Sequence, residues 1–385
     1  YTKDKKFWLG TNGLPAYIPT YNFVDGFWLG AKLNMGVKLS ESTQISFIPS
    51  VYYTTARKTV VGKGELILDY APRRLGRFVL SGGSLSTDYN GESGESTLIN
   101  AVASAFFAEN NVKYYNKRFL TISNDIEIAN SLLLSTSFSW QKRSMLDNHI
   151  QHSWFNKSGK SNVPNAPQFN PMPDNELLLA SVALEYTPAH YYRMVRGKKV
   201  YQESAYPTFS LNYDRAFPLK SSSSSPSYHL FQLSARQSIN WGVFNTLNWS
   251  INGGMFWNEK EMQFPDFKQI SSTKFPITER TFDSGFSLLN NYTLATNSRW
   301  AQANLSWYAP RLLLKFLPFL KKRNLDEALH LRSFVTFDRS PYSEFGYSIG
   351  FLKLARVGVF VGFDNLKYHS VGVSVSIPLS MLTRE

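Results

Sequence analysis

From Ala328 to Leu379 the chain alternates, two residues at a time, between apolar side chains and small or polar ones. Val371, Val373, Val375, Ile377 and Leu379 fall on one side of the last run; Gly372, Ser374, Ser376 and Pro378 fall on the other. In the run before it Val357, Val359, Val361 and Phe363 stand against Gly358, Gly362 and Asp364. Before that, Phe345, Tyr347, Ile349 and Phe351 stand against Glu344, Gly346, Ser348 and Gly350. Successive side chains of a strand point to opposite faces, so each run is a ribbon with one apolar surface. A soluble sandwich uses the same code. Its repetition along nearly the whole chain, in runs of ten or more residues separated by polar loops, predicts an all-β fold instead: a transmembrane antiparallel β-barrel, apolar face to lipid and polar face to a wet lumen.

Composition agrees with that choice. Hydrophobic residues are 43% of 385 and mean hydropathy is -0.26, which excludes a helical membrane protein. The longest apolar run, Leu312 to Leu320, is broken by Lys315 and Pro318 and is too short to cross hydrocarbon as a helix. Many of the 29 Phe, 21 Tyr and 9 Trp sit near expected strand ends, among them Trp28, Tyr52, Tyr53, Trp140, Trp241 and Trp257. Barrels carry such rings as interfacial girdles; core and rim aromatics of a soluble β-protein are the plainer alternative. With no cysteine, disulfides and thiolate metal sites are excluded. The formal charge of +13 is spread over turns and the polar face without a nucleic-acid-binding signature, so the expected counter-charge is outer-membrane lipid headgroups and not nucleic acid.

No catalytic constellation emerges, and no cofactor or metal is expected. His149 and His152 are three apart but lie in a polar loop without an acidic cluster, where solvated residues outweigh a metal site. No Gly-x-Ser-x-Gly elbow is present, and Gly82-Gly83 and Gly253-Gly254 fall inside strands, where they relieve crowding or mark bends.

The start at Tyr1, without Met or a signal sequence, reads as a processed or partial chain. Residues 1–22 read as a lead-in from a periplasmic part, 23–379 as the barrel and 380–385 as a C-terminal tail. Strands are expected at 23–37, 42–55, 58–71 and 74–88, then 114–129, 131–143, 177–190, 205–217, 227–240 and 243–258. Residues 97–110, with Ala101, Ala103, Ala105 and Ala108, have helical propensity. Counting crossings nevertheless favours a fifth strand there, a helix through the lumen being the alternative, because tight turns such as Ala129-Asn130-Ser131 belong on the periplasmic side. Residues 147–173 read as a long outer loop. Residues 259–297 form a second long insertion, of a length that is usually functional or disordered.

Phe334-Val335-Thr336-Phe337-Asp338, then Glu344-Phe345-Gly346-Tyr347-Ser348-Ile349-Gly350 and Arg356-Val357-Gly358-Val359, resemble the closing strands of the BamA/TamA-like superfamily of outer-membrane barrels. Tyr21-Asn22-Phe23-Val24-Asp25-Gly26 and the stretch 321–379 resemble more closely the barrels that often follow a carboxypeptidase-regulatory-like domain. The resemblance implies sixteen strands, a weak seam between the first and last, and a long loop before strand twelve folded into the lumen. Counting backward from 369–379 as strand sixteen puts strand twelve at 298–308 and the loop at 259–297. The superfamily's loop carries an Arg-Gly-aromatic tip that reaches an acidic residue on the next-but-one strand. Val195-Arg196-Gly197 copies three residues of the motif but on the wrong side and before Lys198, whereas Arg280-Thr281-Phe282 is well placed. The implied lock is therefore Arg280 and Phe282 with Asp338, a charge-assisted pair if it is dry and two solvated charges if it is not. Ser306 stands where the superfamily has a carboxylate on strand twelve.

The expected seam sets Phe23 and Trp28, in the run to Val37, against Val371, Val373, Val375, Ile377, Pro378 and Leu379. The function expected on that basis is assistance in the insertion, assembly or export of outer-membrane or surface proteins, in the bacterial outer membrane. Client outer-membrane proteins, lipoproteins and periplasmic or surface subunits would be its partners. A structural scaffold subunit and a plugged passive pore are the alternatives.

Overall fold

The computed structural model describes residues 6–11, 20–40, 43–91, 95, 97–155, 157–219, 224–242, 245–310, 312–316, 325–351 and 354–377. Sixteen strands follow one another: β1 (Phe7–Thr11), β2 (Gly26–Lys38), β3 (Gln44–Thr54), β4 (Thr59–Tyr70), β5 (Gly76–Asp88), β6 (Tyr114–Ala129), β7 (Leu132–Met145), β8 (Asn175–Tyr186), β9 (Thr208–Pro218), β10 (Ser227–Trp241), β11 (Asn245–Lys260), β12 (Trp300–Ala309), β13 (Leu325–Thr336), β14 (Tyr342–Phe351), β15 (Ala355–Asp364) and β16 (Lys367–Ser376). Each pairs antiparallel with the next. Two short strands, Tyr21–Asn22 on β2 and Ile277–Thr278 on β16, complete an 18-stranded sheet. Tight turns hold the meander in register: Asn365 and Leu366, both at positive φ, form the two-residue link from β15 to β16.

Side-chain exposure gives the sheet its sidedness. Val371 and Val373 are 58% exposed, while Ser374 and Ser376 on the opposite face are 2% exposed. The same inversion runs through β13 to β15, where Leu331, Val335, Phe345, Val357 and Val359 are exposed and His330, Arg332, Glu344 and Ser348 are buried. A sandwich would turn the valines inward; leaving each such side chain in water forgoes roughly 1.5–3 kcal/mol. The apolar surface is the outer one.

The inner face is concave because one segment, Glu261 to Arg299, touches both halves of the sheet. The Leu288 N–H donates to Glu344 on β14 (2.9 Å), and the Tyr292 hydroxyl donates to Asp88 on β5 (2.5 Å). In a flat sheet β5 and β14 would lie about 43 Å apart, nine steps at ~4.8 Å. The four residue steps from Leu288 to Tyr292 reach only about 14 Å plus a side chain. The sheet therefore curls around the segment. Half of the buried apolar clusters among the described residues lie between this segment and the wall, as with Tyr89, Tyr115, Phe264 and Tyr292, or Phe286, Leu289, Trp300 and Phe334.

Two elements differ from expectation. Residues 97–110 contain no strand: Thr97–Phe107 is a helix, α1, and β5 pairs directly with β6 across it. Alanine propensity prevails because Ala101 and Ala105 pack with Ala108 against Tyr21 and Phe23, so the helix has a surface to bury. The count of sixteen survives because the lead-in contributes β1, whose Phe7–Thr11 pairs with Leu33–Val37 of β2. Gly36 permits this: a Cβ there would sit 2.2 Å from the Trp8 ring, which also donates its indole N–H to Asn34 (3.3 Å). Trp8→Ala should free β1, raising amide exchange across Phe7–Thr11 while leaving β4 to β10 unchanged; unaltered protection of Leu9 would show that the indole does not hold the strand.

Candidate functional site

The site is where the inner segment meets β12 to β16. Cross-strand register sets Arg332 on β13 opposite Glu344 on β14, with Nη1 and Oε2 3.3 Å apart and both side chains buried. A buried pair needs partners for its remaining donors and acceptors, and the segment supplies most of them, Arg332 Nε being buried without one. Arg332 donates to the Phe282 carbonyl (2.7 Å) and the Ser287 hydroxyl (3.0 Å). Glu344 accepts the N–H groups of Ser287 (2.8 Å) and Leu288 (2.9 Å) and the Tyr342 hydroxyl (3.0 Å).

Phe282 is clamped by rings. Its centroid lies 5.0 Å from Phe360, edge to face, and 5.8 Å from His330, while the Arg332 guanidinium lies over Phe360 at 4.7 Å. Phe360 projects from the small-residue face of β15, and its cross-strand neighbour is Gly346. A Cβ at Gly346 would come within 2.3 Å of the Phe360 ring, and one at Gly358 within 2.7 Å. His330 bridges Ser306 (2.8 Å) and Ser348 (2.7 Å), linking β12, β13 and β14 beneath the clamp.

Other anchors lie across the concavity. Arg143 on β7 grips Asp266 with two bonds of 2.7 and 3.0 Å and donates to Asn175 (2.8 Å). Asn90 donates to Asn291 (2.5 Å), and the Lys113 N–H donates to the Tyr292 hydroxyl (2.7 Å). The segment is thus tied to β7, to the ends of β5 and β6, and to β13 and β14.

The sequence-derived lock is only partly assembled. Phe282 lies in it, buried as a tip aromatic should be. Arg280 donates instead to the Ser271 hydroxyl, and its charged neighbours are Asp88, Glu95 and Glu279; burial lowers its affinity for its proton, and burial pushes the Glu95 carboxyl up to about 7. Asp338 is exposed beyond the end of β13, beside Arg339 and Glu259. The correction is physical: the cation that pins the tip is Arg332, on the wall, and the acid is Glu344 on the adjacent strand. Charged residues on the small-residue faces of two strands joined by a short turn were the available signal.

The expected seam is also redrawn. Phe23 is buried under α1, where its carbonyl accepts the N–H groups of His149 and Ile150 (2.9 and 3.0 Å). Trp28 is paired with Thr54 and donates its indole N–H to Asp25 (3.1 Å). The sheet's first strand is β1. Val371, Val373 and Val375 lie on β16, and Pro378 and Leu379 lie outside the described residues. Among the described residues no ladder joins β16 to β1. Part of the outward edge of β16 is taken by the inner segment: the Val375 N–H donates to Pro276 (2.6 Å) and that of Ile377 to Thr278 (2.8 Å).

A family described as "Family of unknown function (DUF5686) C-terminal domain" matches residues 1–349. The chain belongs to this family. None of the curated proteins compared with this DUF5686 C-terminal domain matches it. Among solved structures it is similar to BamA from Haemophilus ducreyi lacking POTRA domains 1–3, at 9% identity and a TM-score of 0.48, over 93% of this chain and 69% of that one. It is also similar to CdiB from Acinetobacter baumannii, at 8% identity and a TM-score of 0.41, over 96% of this chain and 57% of that one. A mutant porin of Rh. blastica aligns at 9% identity and a TM-score of 0.33, over 90% and 89%.

Glu344→Gln should strand the buried Arg332 charge, cost about 3–5 kcal/mol in urea unfolding and raise amide exchange at Ser287 and Leu288. Asp338→Asn should shift stability by less than about 0.5 kcal/mol. Equal effects of the two would restore Asp338 to the lock.

Proposed function

We propose that this chain is a sixteen-strand barrel of the bacterial outer membrane, plugged by residues 261–299 in its lumen, that assists the insertion, assembly or export of outer-membrane or surface proteins. The observation that carries the reading is that, among the described residues, the wall's last strand is held at its edge by two residues of the plug and not by the first strand. Within hydrocarbon every backbone N–H and C=O needs a partner, so an edge satisfied so sparingly is a template for another strand. The outward valine, leucine and phenylalanine rows support the membrane address, since acyl chains solvate them where water does not. The seam on this reading lies between β1 and β16.

A second reading, a scaffold subunit, draws on the hairpin Tyr192–Val195 and Lys198–Tyr201. It is fixed to the short-turn end of the wall by the buried Lys199–Glu127 pair (2.6 Å), and it presents exposed Tyr191, Tyr192, Met194, Arg193 and Arg196. A fixed stoichiometric partner retained in mild detergent would favour that role. The plug disfavours free conduction, although polar cavities of about 670 and 520 Å³ remain beside it.

Paired cysteines that tether Phe7–Thr11 to Val371–Val375 should stop the incorporation of client barrels into proteoliposomes while the tethered protein stays folded, with activity returning on reduction. Undiminished activity in the oxidised form would reject the seam.

A further inference from the structure

The plug meets the last strand in an unusual way. Ile277 and Thr278 pair in parallel with Val375 and Ser376, although every other neighbour of the wall strands is antiparallel. The contact is small: the two backbone bonds from Val375 and Ile377, and one from the Ser376 hydroxyl to the Arg280 carbonyl. It cannot lengthen, because Pro276 has no N–H to give and the chain beyond Arg280 dives inward to the Phe282 clamp. It is also hinged on a firm base. The Thr273 N–H donates to Phe286 and that of Phe286 to Ser271, both at 2.9 Å, so residues 274–285 are an excursion whose two ends are held together. By the two-residue period, Val371 and Val373 turn their N–H groups the same way as Val375 and Ile377, and no described strand takes them.

We infer that the outward edge of β16 at Val375–Ile377 is a strand-binding site whose resident occupant is Pro276–Thr278, and that an extended client strand enters by displacing that occupant. The inference rests on the seam reading above and deepens it. The occupant satisfies the edge while no client is present, which keeps a hydrocarbon-exposed edge from pairing at random. An incoming antiparallel strand aligned along Val371 and Val373 collides with it at Val375. That strand gains two bonds for every two residues it adds, whereas the resident pair is limited to two backbone bonds, so a strand spanning Val371 to Ile377 wins the exchange. The plug stays seated through Phe282 at Arg332 and through Ser287 and Leu288 at Glu344, while only residues 274–279 of the excursion swing clear.

The test uses the whole chain in lipid nanodiscs, with Ile277→Cys and Val375→Cys introduced together at these register partners. The probe is a fluorescent synthetic peptide with the sequence of residues 367–377. The reduced form should bind the peptide and the oxidised form should bind it at least about tenfold more weakly. Replacing Pro276–Thr278 by Gly-Ser-Gly should tighten binding several-fold, because glycine makes the extended occupant costlier to order while its two carbonyls remain. Equal affinity of the oxidised and reduced forms would overturn displacement and leave strand addition at the seam standing. Failure of every form to bind, the Gly-Ser-Gly variant included, would overturn the seam reading and this inference with it.

Discussion

An unpaired backbone or side-chain polar group away from water is expensive, and a sheet whose outer surface is apolar has only its inner surface on which to satisfy its polar side chains. This constraint organises the molecule. Arg332, Glu344, His330 and Arg143 all face the concavity and are all buried there, and the carbonyls, amides and carboxylate that meet them come largely from the segment between β11 and β12. The wall specifies the segment's path as much as the segment braces the wall.

The Arg332–Glu344 pair illustrates how charge is used. Two ions brought out of water seldom add net stability, and a hydrophobic replacement often does as well. What the pair provides is direction: a guanidinium and a carboxylate held side by side accept only a chain that offers a carbonyl at Phe282 and consecutive N–H groups at Ser287 and Leu288. The ring of Phe282 then fills the recess that Gly346 and Gly358 leave around Phe360. Polar specificity and apolar packing choose the same register.

Much of this was legible from alternation alone, since a period of two survives any loop length. β16, expected at 369–379, runs Lys367–Ser376; β11, expected at 243–258, runs Asn245–Lys260; the long insertion is displaced by two residues. The failures have a common cause, which is that local pattern carries no information on partners. α1 reads as helical by composition, and only the missing crossing argued otherwise; β1, five residues among prolines and lysines, supplied that crossing unseen. Arg280 and Asp338 were chosen by motif, whereas Arg332 and Glu344 are joined by a register that the turn between β13 and β14 sets. Phe360 interrupts the small-residue face of β15, and that interruption is the sequence's mark of the clamp.

The central claim is that the apolar rows of this wall face acyl chains. Single cysteines at successive positions from Ser343 to Ile349 and from Ser370 to Val375, spin-labelled in bilayers, measure it directly through collision with oxygen and with a water-soluble nickel complex. The account predicts a two-residue oscillation, with labels at Phe345, Tyr347, Val371 and Val373 favouring oxygen and those at Glu344, Ser348 and Ser374 shielded from it. An oscillation of opposite phase, or water-like collision along both rows, would contradict it.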